Sequence, residues 1–140
     1  MIEIFNGDEQ VDELVWSLIS GQEYMHGKIK WPLSIYILSR QSFRDLYGPN
    51  FKETLYNPIS GKGEQSRAMH NTRKKHHEVT IMDDVGLGDA IAHELTHCRQ
   101  AEKLGVKLWT KLYKMYKDDR KNDPFEVQAY MNEPRYARDE

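Results

Sequence analysis

Leu87-Gly88-Asp89-Ala90-Ile91-Ala92-His93-Glu94-Leu95-Thr96-His97-Cys98-Arg99-Gln100-Ala101-Glu102-Lys103-Leu104 contains no proline, and Gly105 follows it. Glycine is favoured just past a helix end, so the run predicts one helix over 87–104. At 3.6 residues per turn, Ile91, Leu95 and Cys98 share one side at i, i+4, i+7 spacing, while His93 and His97 project from roughly the opposite side. Both faces are then buried, for different reasons. The apolar stripe packs on a sheet, and the histidine face, flanked by Ala90, Ala101 and Leu104, looks into a cleft covered by something later in the chain.

His93-Glu94-Leu95-Thr96-His97 fits the H-E-x-x-H pattern. Imidazoles one helical turn apart reach a single tetrahedral Zn²⁺, and Glu94 falls beside the metal as a candidate base. An open catalytic site needs a third protein ligand. The metzincin continuation, with Gly three and His six residues after the second histidine, fails because Gln100 and Lys103 stand there. Glu126 is the candidate instead. Asp123 is a good N-cap and Pro124 a good first helical residue, which puts Glu126 in the first turn of a new helix. The same Asp-x-x-Glu arrangement is also a capping box, in which Glu126 returns to the backbone N–H of Asp123. Glu102, Asp118, Asp119 and Glu133 are the other carboxylates to weigh. Glu102 suits least, since it shares the histidine helix and points away.

On these residues the chain resembles the zincin metallopeptidases of the gluzincin type. It is most similar to small phage and prokaryotic zincin-like proteins whose Asn-Pro-x-Glu-x-x-Ala-type segment supplies the third ligand. Here that segment reads Asp123-Pro124-Phe125-Glu126-Val127-Gln128-Ala129, and the resemblance covers about 81–130. The third-ligand motifs of the thermolysin-like enzymes and of the aspzincins are absent. The resemblance implies Zn²⁺ as cofactor, His93, His97 and Glu126 as ligands, Glu94 as general base, and hydrolysis of a peptide or protein substrate. It also makes the strand before the zinc helix, 77–82, an edge strand along which an extended peptide binds, with His77, Val79 and Ile81 as substrate-binding residues. An interior strand there would bind nothing. Tyr130, one turn after Glu126, is a candidate oxyanion donor or a packing partner.

A chain of 140 residues reads as a single domain, 1–140. Its 20 basic and 22 acidic residues leave a formal charge of −2, which argues against global attraction to nucleic acid or membrane. The N-terminus lacks the basic start and apolar run of a signal peptide, and no stretch has the length of a membrane span. Cys98 is the only cysteine, so no internal disulfide forms, which suits a reducing interior. A cytoplasmic protein is expected, or one of the host cytoplasm or virion if the chain is phage-encoded.

Val11, Leu14, Val15, Leu18 and Ile19 predict a helix over 8–20, ended by Gly21. A buried strand follows at 32–39, then a short helix or turn at 41–47, a strand at 77–82, a helix at 106–116 and a last helix from Pro124. Trp16, Trp31 and Trp109 are expected in the core, and Cys98 as a buried core thiol. The fold class is α+β and zincin-like, a small mixed sheet packed on the HExxH helix with further C-terminal helices. Residues 57–77 are polar, with Pro58, Gly61 and Gly63, and read as a long loop. Its basic cluster of Arg67, Arg73, Lys74 and Lys75 is a solvated surface or a phosphate contact for nucleic acid. His70, His76 and His77 could ligate a metal in another arrangement, although adjacent residues of a strand project to opposite sides. A non-catalytic protein, zinc-stabilised for binding or virion assembly, stands as the alternative to a hydrolase.

Overall fold

Leu33-Ser34-Ile35-Tyr36-Ile37-Leu38 is β-branched and apolar enough for a central strand, and as β2 (Leu33–Leu38) it lies inside a four-stranded sheet. The computed structural model describes residues 1–5 and 9–137. β1 (Ile2–Phe5) and β6 (His76–Met82) run parallel to β2 on its two sides, and β5 (Ala68–Arg73) closes the sheet antiparallel to β6. A parallel pair needs a crossover, and α1 (Glu9–His26) supplies it between β1 and β2. The path from β2 to β5 carries α2 (Arg40–Tyr47) and a separate hairpin of β3 (Thr54–Asn57) and β4 (Lys62–Gln65). After β6 come α3 (Leu87–Leu104), α4 (Val106–Tyr116), α5 (Pro124–Met131) and α6 (Pro134–Ala137). The fold is thus α+β, with a small mixed sheet and six α-helices among the described residues. None of these helices is long and apolar enough to cross a membrane.

The two-residue period of a strand puts Leu33, Ile35, Val79 and Ile81 on one sheet face. Val15 and Ile19 of α1 and Ile91, Leu95 and Cys98 of α3 cover that face, each at most 1% exposed. Burial of such side chains contributes about 1.5–3 kcal/mol apiece, so α3 cannot turn without forfeiting it. Its opposite side, with His93 and His97, is thereby aimed away from the apolar core. Gly105, at φ 86°, breaks α3 from α4 in a backbone conformation that glycine adopts freely.

Several expectations are corrected. α1 runs through Gly21 to His26, because a glycine inside a helix costs only about 1 kcal/mol and buried Ile19 and Gln22 hold both flanks. Asp8, the expected first residue, lies outside the described residues. The strand β1 was not anticipated. Residues 57–77 are not a loop: β4, β5 and a two-residue turn at Lys74-Lys75 lie there. Both turn residues have positive φ, 51° and 58°, as a type I′ turn requires, with no Asn or Gly to announce it. Trp16 is 43% exposed, whereas Trp109 is buried.

The strand 77–82 is not an edge. β6 is paired on both sides, so the backbone of His77, Val79 and Ile81 is engaged in the sheet and their side chains are buried. The edge beside α3 is β5. The four basic residues do not form one patch either, since Arg67 is drawn inward onto Glu133 while Arg73, Lys74 and Lys75 stay exposed at the hairpin end.

Candidate metal centre

His93, His97 and Gln100 recur at i, i+4 and i+7 on α3, and all three are buried against α5 and its approach. α5 begins as its sequence demands: the Asp123 carboxylate accepts from the N–H groups of Phe125 (2.9 Å) and Glu126 (3.3 Å), with Pro124 at the first helical position. The Glu126 side chain does not close a reciprocal cap. The backbone N–H of Asp123 donates to the carbonyl of Arg120 instead, and the Glu126 carboxylate turns to the two histidines.

The Nε2 atoms of His93 and His97 lie 3.2 Å apart. Glu126 Oε1 is 3.0 Å from the first and Oε2 is 3.3 Å from the second. With bonds of about 2.0–2.1 Å, the edges of a tetrahedron around Zn²⁺ measure about 3.3–3.4 Å, so the two imidazole nitrogens are spaced as ligands of one ion, with one oxygen of the Glu126 carboxylate near each. The group could hold a metal.

The far nitrogens of both rings fix which atom faces inward. His93 Nδ1 is 2.8 Å from Glu133 Oε2, and a carboxylate only accepts, so Nδ1 carries the hydrogen and the neutral ring keeps its Nε2 lone pair free. His97 Nδ1 is 2.8 Å from Gln100 Oε1. The Gln100 amide nitrogen donates to Phe125 O (3.1 Å) and Gln128 Oε1 (2.7 Å), which sets that amide's orientation and again leaves Nε2 bare. Glu133 is itself gripped by Arg67 (2.9 and 2.5 Å) and by Arg135 (2.8 Å), and it is fully buried.

Glu94 is 6% exposed and faces the same cavity, of about 430 Å³, as the three donors. Among the described residues no hydrogen bond or ion pair occupies its carboxylate. Tyr130 packs edge-on against His93, with ring centroids 4.5 Å apart. Arg120 donates to both Glu126 (3.3 Å) and the Tyr130 hydroxyl oxygen (3.4 Å), so the Tyr130 O–H stays available as a donor. Burial pushes the Tyr130 phenol up to about 12, which keeps that hydrogen in place at neutral pH.

No protein-family model, no curated protein and no solved structure matches this chain.

Among the carboxylates weighed from the sequence, Glu126 meets the histidines, and Glu133 meets His93 from behind. Asp118 lines the cavity at a distance from the donor group, and Asp119 accepts from Asn122. Glu102 points away as expected, and accepts from the N–H groups of Lys30 and Trp31. Gln100 and Arg120 went unrecognised. Gln100 is one turn past His97 on its own face, a signal that could have been read, whereas nothing in the sequence ties Arg120 to the site.

The buried carboxylates favour the protonated form of both imidazoles. Burial alone would lower His93, but the hydrogen bonds to Glu126 and Glu133 overcome it and push the ring up to about 9. Burial would likewise raise Glu126, yet His97 and His93 hold it well below the usual carboxylate range. A raised histidine stabilises the fold fully below its unfolded value of about 6.5 and loses that contribution as pH rises through about 9. Zinc needs the unprotonated ring, so its binding opposes the same proton. The metal-free protein should therefore lose stability between pH 6.5 and 9 at this centre, while the rise in Tm on adding zinc grows across the interval. Thermal melts with and without zinc at pH 6, 7 and 8.5 check this, and an increment that shrinks with pH contradicts it.

Proposed function

We propose that the chain is a zinc-dependent peptide hydrolase of the gluzincin type. One observation carries the reading: two imidazoles and the Glu126 carboxylate converge on a cavity where the neighbouring Glu94 carboxylate has no hydrogen-bond or ion-pair partner among the described residues. Two imidazoles and a carboxylate suit Zn²⁺, and three protein ligands are the count of an open, catalytic site. Bound zinc supplies a water of pKa near 7 and polarises a carbonyl oxygen.

The chain's own residues then have separate tasks. Glu94 accepts a proton from the attacking water and returns it to the leaving amine as the C–N bond breaks, so no covalent intermediate with the protein is needed. Tyr130 donates its O–H to the oxyanion of the tetrahedral intermediate, and Arg120 keeps that phenol and Glu126 in place. An extended peptide binds along β5. Its pairing with β6 alternates, and Met82 N–H donates to Arg67 O, which leaves the backbone N–H and C=O of Ala68, His70 and Thr72 directed to the free edge. Ala68, Met69 and His70 also line the cavity, so a strand added there lies beside the donors.

Incubation with a mixed peptide library, read by mass spectrometry, tests the proposal. Zinc-loaded protein should generate new peptide termini, and chelator-stripped protein should not until zinc is returned. Intact peptides under both conditions, with zinc bound, would favour a non-catalytic zinc-stabilised binding protein.

A further inference from the structure

The histidine-rich hairpin holds a second set of donor atoms that the hydrolytic reading does not use. His70 of β5, His77 of β6 and Cys98 of α3 each bring one ligand atom within 4.8 Å of the other two. His70 Nε2 and His77 Nδ1 are 3.5 Å apart, close to a tetrahedral edge around a transition metal. His77 and Cys98 are fully buried, and His70 is partly so.

His77 is arranged as a ligand from behind. Its Nε2 is 2.9 Å from Glu102 Oε2, in a carboxylate that also accepts from two backbone N–H groups and is thereby fixed. The carboxylate only accepts, so Nε2 carries the hydrogen and the neutral ring turns its Nδ1 lone pair toward His70. A carboxylate, an imidazole and a metal in that order form the outer-shell arrangement common to protein metal sites. Metal-free, the Thr72 hydroxyl bridges both rings, at 2.7 Å from His77 Nδ1 and 2.8 Å from His70 Nε2. A hydroxyl has one hydrogen: it donates to His77 and accepts from the His70 Nε2–H. A metal held there would take the place of the Thr72 hydroxyl between the rings, and would need the His70 hydrogen on Nδ1 and the Cys98 thiol proton released to solvent.

We propose that His70, His77 and Cys98 form a second metal site, for a borderline-soft ion such as Zn²⁺ or Cu⁺, with Glu102 orienting His77. Thiolate and imidazole together select that class over Mg²⁺ or Ca²⁺. The proposal is independent of peptide hydrolysis and of the His93 centre, whose donors include no sulfur.

Cobalt(II) is the probe, because thiolate ligation gives a near-ultraviolet charge-transfer band that nitrogen and oxygen ligands do not. Cys98 is the only cysteine, so a band saturating at one cobalt per monomeric chain can come only from it. The chain carrying His97→Ala, which disables the other centre, should show the band, and zinc should quench it. Adding His70→Asn, on the partly exposed edge strand, should weaken cobalt binding at least tenfold while circular dichroism stays native. A folded protein with no such band at saturating cobalt overturns the proposal. So does a band that His70→Asn leaves at full strength.

Discussion

Glu94→Gln is expected to abolish hydrolysis while zinc stays bound. The amide keeps the size and cavity position of the carboxylate, and Glu94 lies outside the group of three donors, so affinity for the metal should change little. The lost function is proton acceptance, and general acid–base catalysis contributes about 10²–10⁴-fold. The variant should therefore lose activity by that factor against any peptide the wild type cleaves, with unchanged zinc content by metal analysis. Wild-type activity in this variant would remove Glu94 from the chemistry.

Glu133 should be the most sensitive position away from the metal. Its carboxylate is fully buried and shared by His93 Nδ1, the Arg67 guanidinium and Arg135. Removing one partner of a buried charged pair costs about 3–5 kcal/mol, because the remaining charge stays out of water. Losing the outer partner of a ligating histidine weakens metal binding about 10–100-fold. Glu133→Ala should show both effects, in urea unfolding and in zinc competition. Glu133→Gln separates them: it leaves the Arg67 charge without its buried partner, as alanine does, while its Oε1 can still accept from His93 Nδ1 and keep the Nε2 lone pair for the metal. A Glu133→Ala protein with native stability and native zinc affinity would show that the buried network has no part in holding the centre.

The helical half of the molecule was legible because its signals are local. The stripe of Ile91, Leu95 and Cys98, the pair His93 and His97, and the stop at Gly105 all follow from spacing along one chain segment, and α3 and α4 have the predicted bounds. Asp123-Pro124 likewise marked the start of α5, which brought Glu126 into view. What stayed hidden depends on distant partners. β4 and β5 are polar and half exposed, so they lack the apolar alternation that reveals a strand, and the turn at Lys74-Lys75 uses positive φ without the residues that favour it. The resemblance to zincins makes 77–82 the sheet edge, and a polar β5 gives the sequence nothing to set against it. Glu133 was weighed as a ligand because its sequence position looks like that of the other acids. Only the path of the chain, which brings Arg67 and Arg135 to the same carboxylate, shows it behind His93 rather than beside Glu126 and the two Nε2 atoms. Whether Glu126 caps its own helix was also a tertiary question: once α5 lies on α3 its carboxylate points to His93 and His97 rather than back to Asp123.

Anomalous diffraction at the zinc absorption edge, from crystals grown with zinc, tests the central claim most directly. A peak is expected within bonding distance of His93 Nε2, His97 Nε2 and the Glu126 carboxylate, with His93 Nδ1 still on Glu133. Zinc-containing crystals with no peak among those three side chains would contradict it.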